Sequence, residues 1–318
     1  MKPSARLGVM KLPRCLVAAA ALLVLSIAPG PAEEPAEPAP LPTMGSVLEA
    51  SQPSDWMPLD QANTLYMQLP GGRVIIRLAP EFAPQHVANI KALVQEGYFD
   101  GLVIVRSQEN YVVQWGDPAE EEADQRPMKN GKRALPAEFD RPTGDDLPVT
   151  ILPDGDVYAP QVGFAASMPV AIDEKSGRMW LTHCYSMLGA GRAESPDSGS
   201  GAELYLVTGH SPRHLDLNVT LAGRVVQGME VLTTLPRGTG GLGFYEDPNE
   251  YVPIESIRLG SDLPKAERAY LEILRTDTPT FEALVESRRT RHESWFANPT
   301  GHISLCNVPI PVRPVASE

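Results

Sequence analysis

The stretch Tyr98 to Pro118, YFDGLVIVRSQENYVVQWGDP, decides how this chain is read. Val103, Ile104 and Val105 are a β-branched run that delivers one arginine, Arg106, to its end. The polar residues Ser107 to Asn110 turn the chain. Tyr111-Val112-Val113-Gln114 then starts a second strand that stops at Gly116-Asp117-Pro118. A guanidinium held on such a hairpin, beside an aromatic ring and a primary amide, suits recognition of a peptide carbonyl in an apolar groove.

Outward from this hairpin the chain remains rich in short strands. Thr64 to Leu69 alternates, Pro70-Gly71-Gly72 turns, and Arg73 to Leu78 returns. Ala83 to Glu96 is helical, with Val87, Ile90, Leu93 and Val94 on one face and Gly97 closing it. Further strands are expected at Gln161 to Met168, Glu203 to Val207, Val219 to Val226 and Val252 to Leu259. Many strands with few helices argue for a mainly β fold closed into a barrel, which removes exposed edges. After Asp262 the pattern predicts a small, mostly helical extension packed on the barrel, residues 261–318. One helix is expected over Leu263 to Leu274. A second is capped by Thr278, has Pro279 in its first turn, and aligns Phe281, Leu284 and Val285. His302 to Val308 reads as a strand.

Together these residues resemble the cyclophilin family of peptidyl-prolyl cis/trans isomerases over about Thr64 to Gly260. That family shows tyrosine-aspartate-glycine, phenylalanine-histidine-arginine, phenylalanine-methionine-x-glutamine and glycine-aspartate-proline in this order. Arg106, Gln114 and Gly116-Asp117 match, Tyr111 nearly so, and Ile104-Val105 departs. Ala222 to Met229 (AGRVVQGM) matches a later family element, whereas Gly163 and Ser167 stand one residue too far apart for the glycine-x-x-serine-methionine element. The resemblance implies a closed barrel of eight antiparallel strands with a helix at each end, interrupted by an insertion at about 169–188 that carries Trp180 and Cys184.

It also implies a chemistry. A prolyl amide rotates slowly because resonance imposes a barrier of roughly 18–20 kcal/mol. A catalyst need only bind the twisted amide better than either planar form. Arg106 takes the catalytic guanidinium role, and Gln114 orients it and meets substrate backbone. Tyr111, Val112, Tyr205 and Leu215 line the proline pocket, with Glu203 in place of a family glutamine and His214 on the rim in place of a tryptophan that supports cyclosporin binding. Val219 replaces a pocket histidine, and Arg192 is the nearest candidate for a further backbone contact. The implied partners are proline-containing or unfolded polypeptides. Retained Arg106 and Gln114 favour an enzyme, whereas Ile104-Val105, Glu203 and Val219 favour the rival reading, a module that binds such chains without turning them over.

Composition bounds the setting. Lys2, Arg6, Lys11 and Arg14 precede an apolar run, Leu16 to Ile27, and Gly30-Pro31-Ala32 offers a cleavage site, so residues 1–32 read as a secretory signal peptide. The protein is then periplasmic or secreted, with an uncleaved membrane tether as the alternative. Glu33 to Pro42 (EEPAEPAPLP) is an extended tether within a proline-rich linker, 33–55, and order is expected from Trp56, opening an isomerase domain over 56–260. Cleavage removes four bases and no acid, taking the net charge from −13 to −17. That argues against nucleic acid, which needs a basic face. The mature cysteines, Cys184 and Cys306, either pair, as is common in exported proteins, or remain separate thiols. No cysteine or histidine spacing indicates a metal, and the chemistry requires no cofactor.

Overall fold

The computed structural model describes residues 41–119 and 121–315. The leader and nearly all of the proline-rich tether lie outside them. The main sheet has nine antiparallel strands. Across the sheet they run Val252–Pro253, Val103–Ser107, Val112–Gly116, Leu204–Val207, Met187–Ala190, Leu221–Gln227, Gly72–Leu78, Thr64–Leu69 and Ser256–Leu259. Its inner face buries Ile104, Trp115, Leu204, Leu206 and Leu78 against the helix Pro84–Gln95, which contributes Val87, Ile90 and Leu93. The expected closed ring of eight is thus replaced by an open, curled order of nine. Both edge strands come from one segment, Val252 to Leu259, whose first part pairs with Val103–Ser107 and whose second part pairs with Thr64–Leu69. Ile254 still donates to the Leu102 carbonyl at 2.8 Å, and the next residue, Glu255, donates to the Gln68 carbonyl at 3.0 Å, so the segment changes partner between these two residues.

A second sheet, absent from the expected core, has the strand order Arg141–Pro142, Arg178–Leu181, Met168–Asp173, Gln161–Ala165, Val149–Ile151. Gln161 to Met168 therefore does not enter the main sheet. Its last residues turn back instead, with Ala166 at φ 47° and Ser167 at φ 56°, the left-handed pair of a two-residue hairpin. The strand that does enter the main sheet is Met187–Ala190, led by Ser186, so the serine-methionine pair of the family element lies there. The second sheet takes strands from Arg141–Pro142 and Val149–Ile151 as well, ahead of residue 169.

The extension also differs from expectation. Leu271–Leu274 is a strand, not the end of a helix. It pairs with Trp56–Pro58 on one side and Val312–Pro314 on the other. Leu271 and Ile273 alternate onto one face, where they meet Leu59, Tyr66 and Ile75 on the outside of the main sheet. The helix Pro279–Thr290 forms as read, with the Thr278 hydroxyl accepting from the Phe281 N–H at 3.3 Å, and Phe281 lies edge-on to Phe164 at 5.0 Å. His302 to Val308 is not a strand; it holds a short 3₁₀ turn, Leu305–Asn307. Within the segment expected as linker, Met44–Glu49 is a helix capped by Thr43 that packs on Pro279–Thr290 and buries Val47. Cys184 and Cys306 are joined, Cα atoms 5.0 Å apart, tying the segment before Met187 to the extension.

Candidate active site

The Arg106 hairpin is not a regular ladder. Ile104 pairs with Trp115, yet Arg106 pairs with Gln114, so one residue, Val105, is extra on the first strand. A bulge of this kind re-aims the next side chain. Here it puts Arg106 on the outer face with Gln114, while Ile104 and Trp115 stay in the core, neither exposed. Gln114 is also opposite Tyr205 on the next strand, so three side chains of the outer face converge.

Arg106 is held by three acceptors. Its Nη1 donates to Gln114 Oε1 at 3.0 Å, its Nη2 to Gln108 Oε1, and its Nε to the Leu242 carbonyl at 2.7 Å. The Tyr111 and Phe244 rings flank it at 5.3 and 5.2 Å. Partial burial pulls its pKa below the usual arginine value, opposed by Tyr111 and Glu203. An arginine so placed is still a cation at neutral pH. A guanidinium has five N–H groups, and these bonds use three. Two remain for a ligand.

Gln114 is itself oriented. Its Nε2 donates to Glu203 Oε1, which leaves Oε1 facing Arg106. Glu203 therefore reaches the arginine through the amide and not by a direct ion pair. The Tyr205 hydroxyl bonds His183 Nε2 at 2.8 Å, and its ring lies on Gly189, where any Cβ would come within 2.1 Å of the ring carbon Cζ.

These groups line a cavity of about 320 Å³ with Tyr111, Val112, Leu215, Val219, Gly191 and Arg192. A neighbouring cavity of about 410 Å³ shares Gly191, Arg192 and Glu203 and extends to Tyr98, Asp117 and Ser200. His214 lies outside the first cavity; it is exposed and stacks on Tyr111 at 5.9 Å, their polar atoms 3.3 Å apart. The Arg192 guanidinium is turned onto the loop carbonyls of Asn218, Ala193 and Glu194 at 2.7, 2.8 and 3.0 Å. Gln108, Phe244, the Leu242 carbonyl and His183 were not singled out from sequence. Gln108 sits two residues from Arg106 on the same turn, a local signal, whereas the others arrive from distant segments with none.

Comparison with known proteins agrees with this architecture. The sequence model of the family described as cyclophilin type peptidyl-prolyl cis-trans isomerase matches residues 64–259. The chain thus belongs to the cyclophilin-type peptidyl-prolyl isomerases, a family of enzymes. The crystal structure of cyclophilin AquaCyp293 from Hirschia baltica superposes with a TM-score of 0.67 at 27% identity, covering 87% of this chain and 98% of that one. A protein of Brucella suis named probable peptidyl-prolyl cis-trans isomerase is 26% identical over 181 residues, 57% of this chain and 74% of that protein. A Synechocystis protein named as a candidate thylakoid lumen peptidyl-prolyl cis-trans isomerase is 27% identical over 165 residues, 49% of this chain and 39% of that one.

Proposed function

We propose that this isomerase acts on proline-containing or incompletely folded polypeptides after export, with the proline ring in the cavity bounded by Tyr111, Val112, Tyr205 and Leu215. The observation that carries this reading is the state of Arg106: three acceptors hold it in place, and two N–H groups remain uncommitted at the cavity. As the prolyl amide twists, its nitrogen becomes pyramidal and its carbonyl loses resonance. Fixed donors then bind the twisted form better than the planar ones. Each tenfold gain in rate asks for about 1.4 kcal/mol, within reach of a few preorganised hydrogen bonds. No bond is made or broken, and no proton acceptor is required.

Export rests on the basic and apolar leader and on the mature cysteine pair, with the lumenal name of the Synechocystis relative in keeping. Among the described residues no helix is long and apolar enough to cross a membrane. Glu203 favours the binding-module reading, because it occupies one of the two N–H groups of the Gln114 amide and leaves a single donor for substrate backbone. The two readings separate by NMR exchange on a short alanyl-prolyl peptide. Wild-type protein should accelerate cis/trans exchange, and folded Arg106→Ala should lose about 10²-fold or more in kcat/KM, the scale for losing a preorganised donor. Equal rates for the two proteins overturn the assignment.

A further inference from the structure

Behind the Tyr205 wall of the cavity runs a line of buried polar groups that the twisted-amide chemistry does not use. Asp156 takes both ends of the Arg213 guanidinium at 3.0 and 2.9 Å. Arg213 Nε donates to Asp216 Oδ2 at 2.8 Å. Asp216 Oδ1 accepts from the His183 backbone N–H at 2.8 Å and lies 2.9 Å from His183 Nδ1. His183 Nε2 then meets the Tyr205 hydroxyl at 2.8 Å. All five residues are buried along their side chains, and His183 is only 1% exposed.

The direction of these bonds follows from their ends. The Asp216 carboxylate can only accept, so His183 Nδ1 carries a proton. Burial, opposed by the bond to Asp216, drives the His183 pKa down, and the ring is neutral. Its Nε2 therefore has a lone pair and no hydrogen. The Tyr205 hydroxyl must donate to it, which engages its one proton behind the wall. What Tyr205 offers the cavity is its ring.

We propose that His183 is a positioning residue for the proline pocket, holding the Tyr205 ring rigid against Gly189 by accepting its hydroxyl proton. The proposal rests on the reading of this cavity as the proline site. It also gives the inserted structure a purpose. His183 lies between the last accessory strand, Arg178–Leu181, and the main-sheet strand Met187–Ala190, directly beside Cys184 and its bond to Cys306. The insertion delivers the pin, and the extension anchors the segment that carries it.

The test begins without a ligand. Two-bond proton–nitrogen NMR of His183 should show Nδ1 protonated and Nε2 bare; an Nε2–H tautomer overturns the proposal. Kinetics on the alanyl-prolyl peptide follow. His183→Phe should lower kcat/KM by about tenfold, the value of one buried hydrogen bond. His183→Gln, whose Oε1 can accept the same proton, should stay within about threefold of wild type. In a Tyr205→Phe background, His183→Phe should cost no more than about twofold, since the bond is already gone. An equal loss in both backgrounds, or full activity in folded His183→Phe, refutes the positioning role. Should His183→Phe fail to fold, the His183→Gln and Tyr205→Phe comparisons carry the decision. Wild-type protein that does not accelerate exchange refutes the isomerase reading instead, and peptide Kd measured by chemical-shift titration on the same variants then judges His183 separately.

Discussion

Reduction of the Cys184–Cys306 bond offers the most quantitative test of how the extension is held. The bond closes a loop of 122 residues. In the chain-entropy account, freeing a loop of that length gives the unfolded chain roughly 16 cal/mol/K, or roughly 5 kcal/mol at room temperature. Unfolding entropy near the midpoint is about 2.1 cal/mol/K per residue, which over the described residues makes roughly 0.6 kcal/mol per degree. The reduced protein should therefore melt roughly 9 °C below the oxidised one, if unfolding is one cooperative transition. Reduction changes no side-chain volume appreciably, so no cavity term enters, unlike the loss of two sulfurs in Cys184→Ala/Cys306→Ala. Differential scanning calorimetry of protein purified from an oxidising compartment, with and without reductant, supplies the number. The double variant should be indifferent to reductant. Coincident melting of oxidised and reduced wild type, or two freely alkylated thiols before reduction, would refute the reasoning.

Two further outcomes follow from named contacts. His214 on the rim supplies neither the indole donor nor the large apolar face of the family's tryptophan, so cyclosporin should bind weakly, and His214→Trp should recover about 2 kcal/mol, near thirtyfold in Kd by calorimetric titration; tight wild-type binding that this change leaves unimproved contradicts the reading of the rim. Asp154 ties the accessory sheet to the extension, taking Arg289 at 2.7 and 2.9 Å and the Ile303 N–H at 3.1 Å, and its pKa is lowered, chiefly by the Arg289 bond. The sign is that of a depressed carboxylate: its stability is present above the unfolded value of about 3.9 and is lost as pH falls through the lower folded value, so denaturant midpoints of wild type should drop in that acid window more than those of Asp154→Asn, which should itself be destabilised by about 3 kcal/mol at neutral pH.

Local signals were enough for the elements whose evidence is local. The Thr64–Leu69 and Gly72–Leu78 pair, the Arg106 hairpin and the Thr278-capped helix each announce themselves within a dozen residues, through alternation, a turn or a cap. The family motifs add Gln114, Tyr111 and Tyr205 to one cavity because their spacing tracks strands that pair directly. The elements misread are those where a short apolar run has no distinctive period. Leu271–Leu274 is a strand only because Trp56–Pro58 and Val312–Pro314 present edges to it, and Gln161–Ala165 sits in a second sheet only because Met168–Asp173 folds back on it.

The details that set the chemistry were decided later still. Nothing in VIVRS marks Val105 as the residue to be bulged out, yet that bulge turns Arg106 toward Gln114. Phe244 and the Leu242 carbonyl reach Arg106 from more than 130 residues away, and His183 reaches Tyr205 from the loop after Arg178–Leu181. Sequence pattern dictates which face of a strand is apolar and where the chain can turn. Which neighbour that face meets depends on the packing of all the strands together, because a buried donor or acceptor takes its partner from whatever segment the closed core brings within 3 Å.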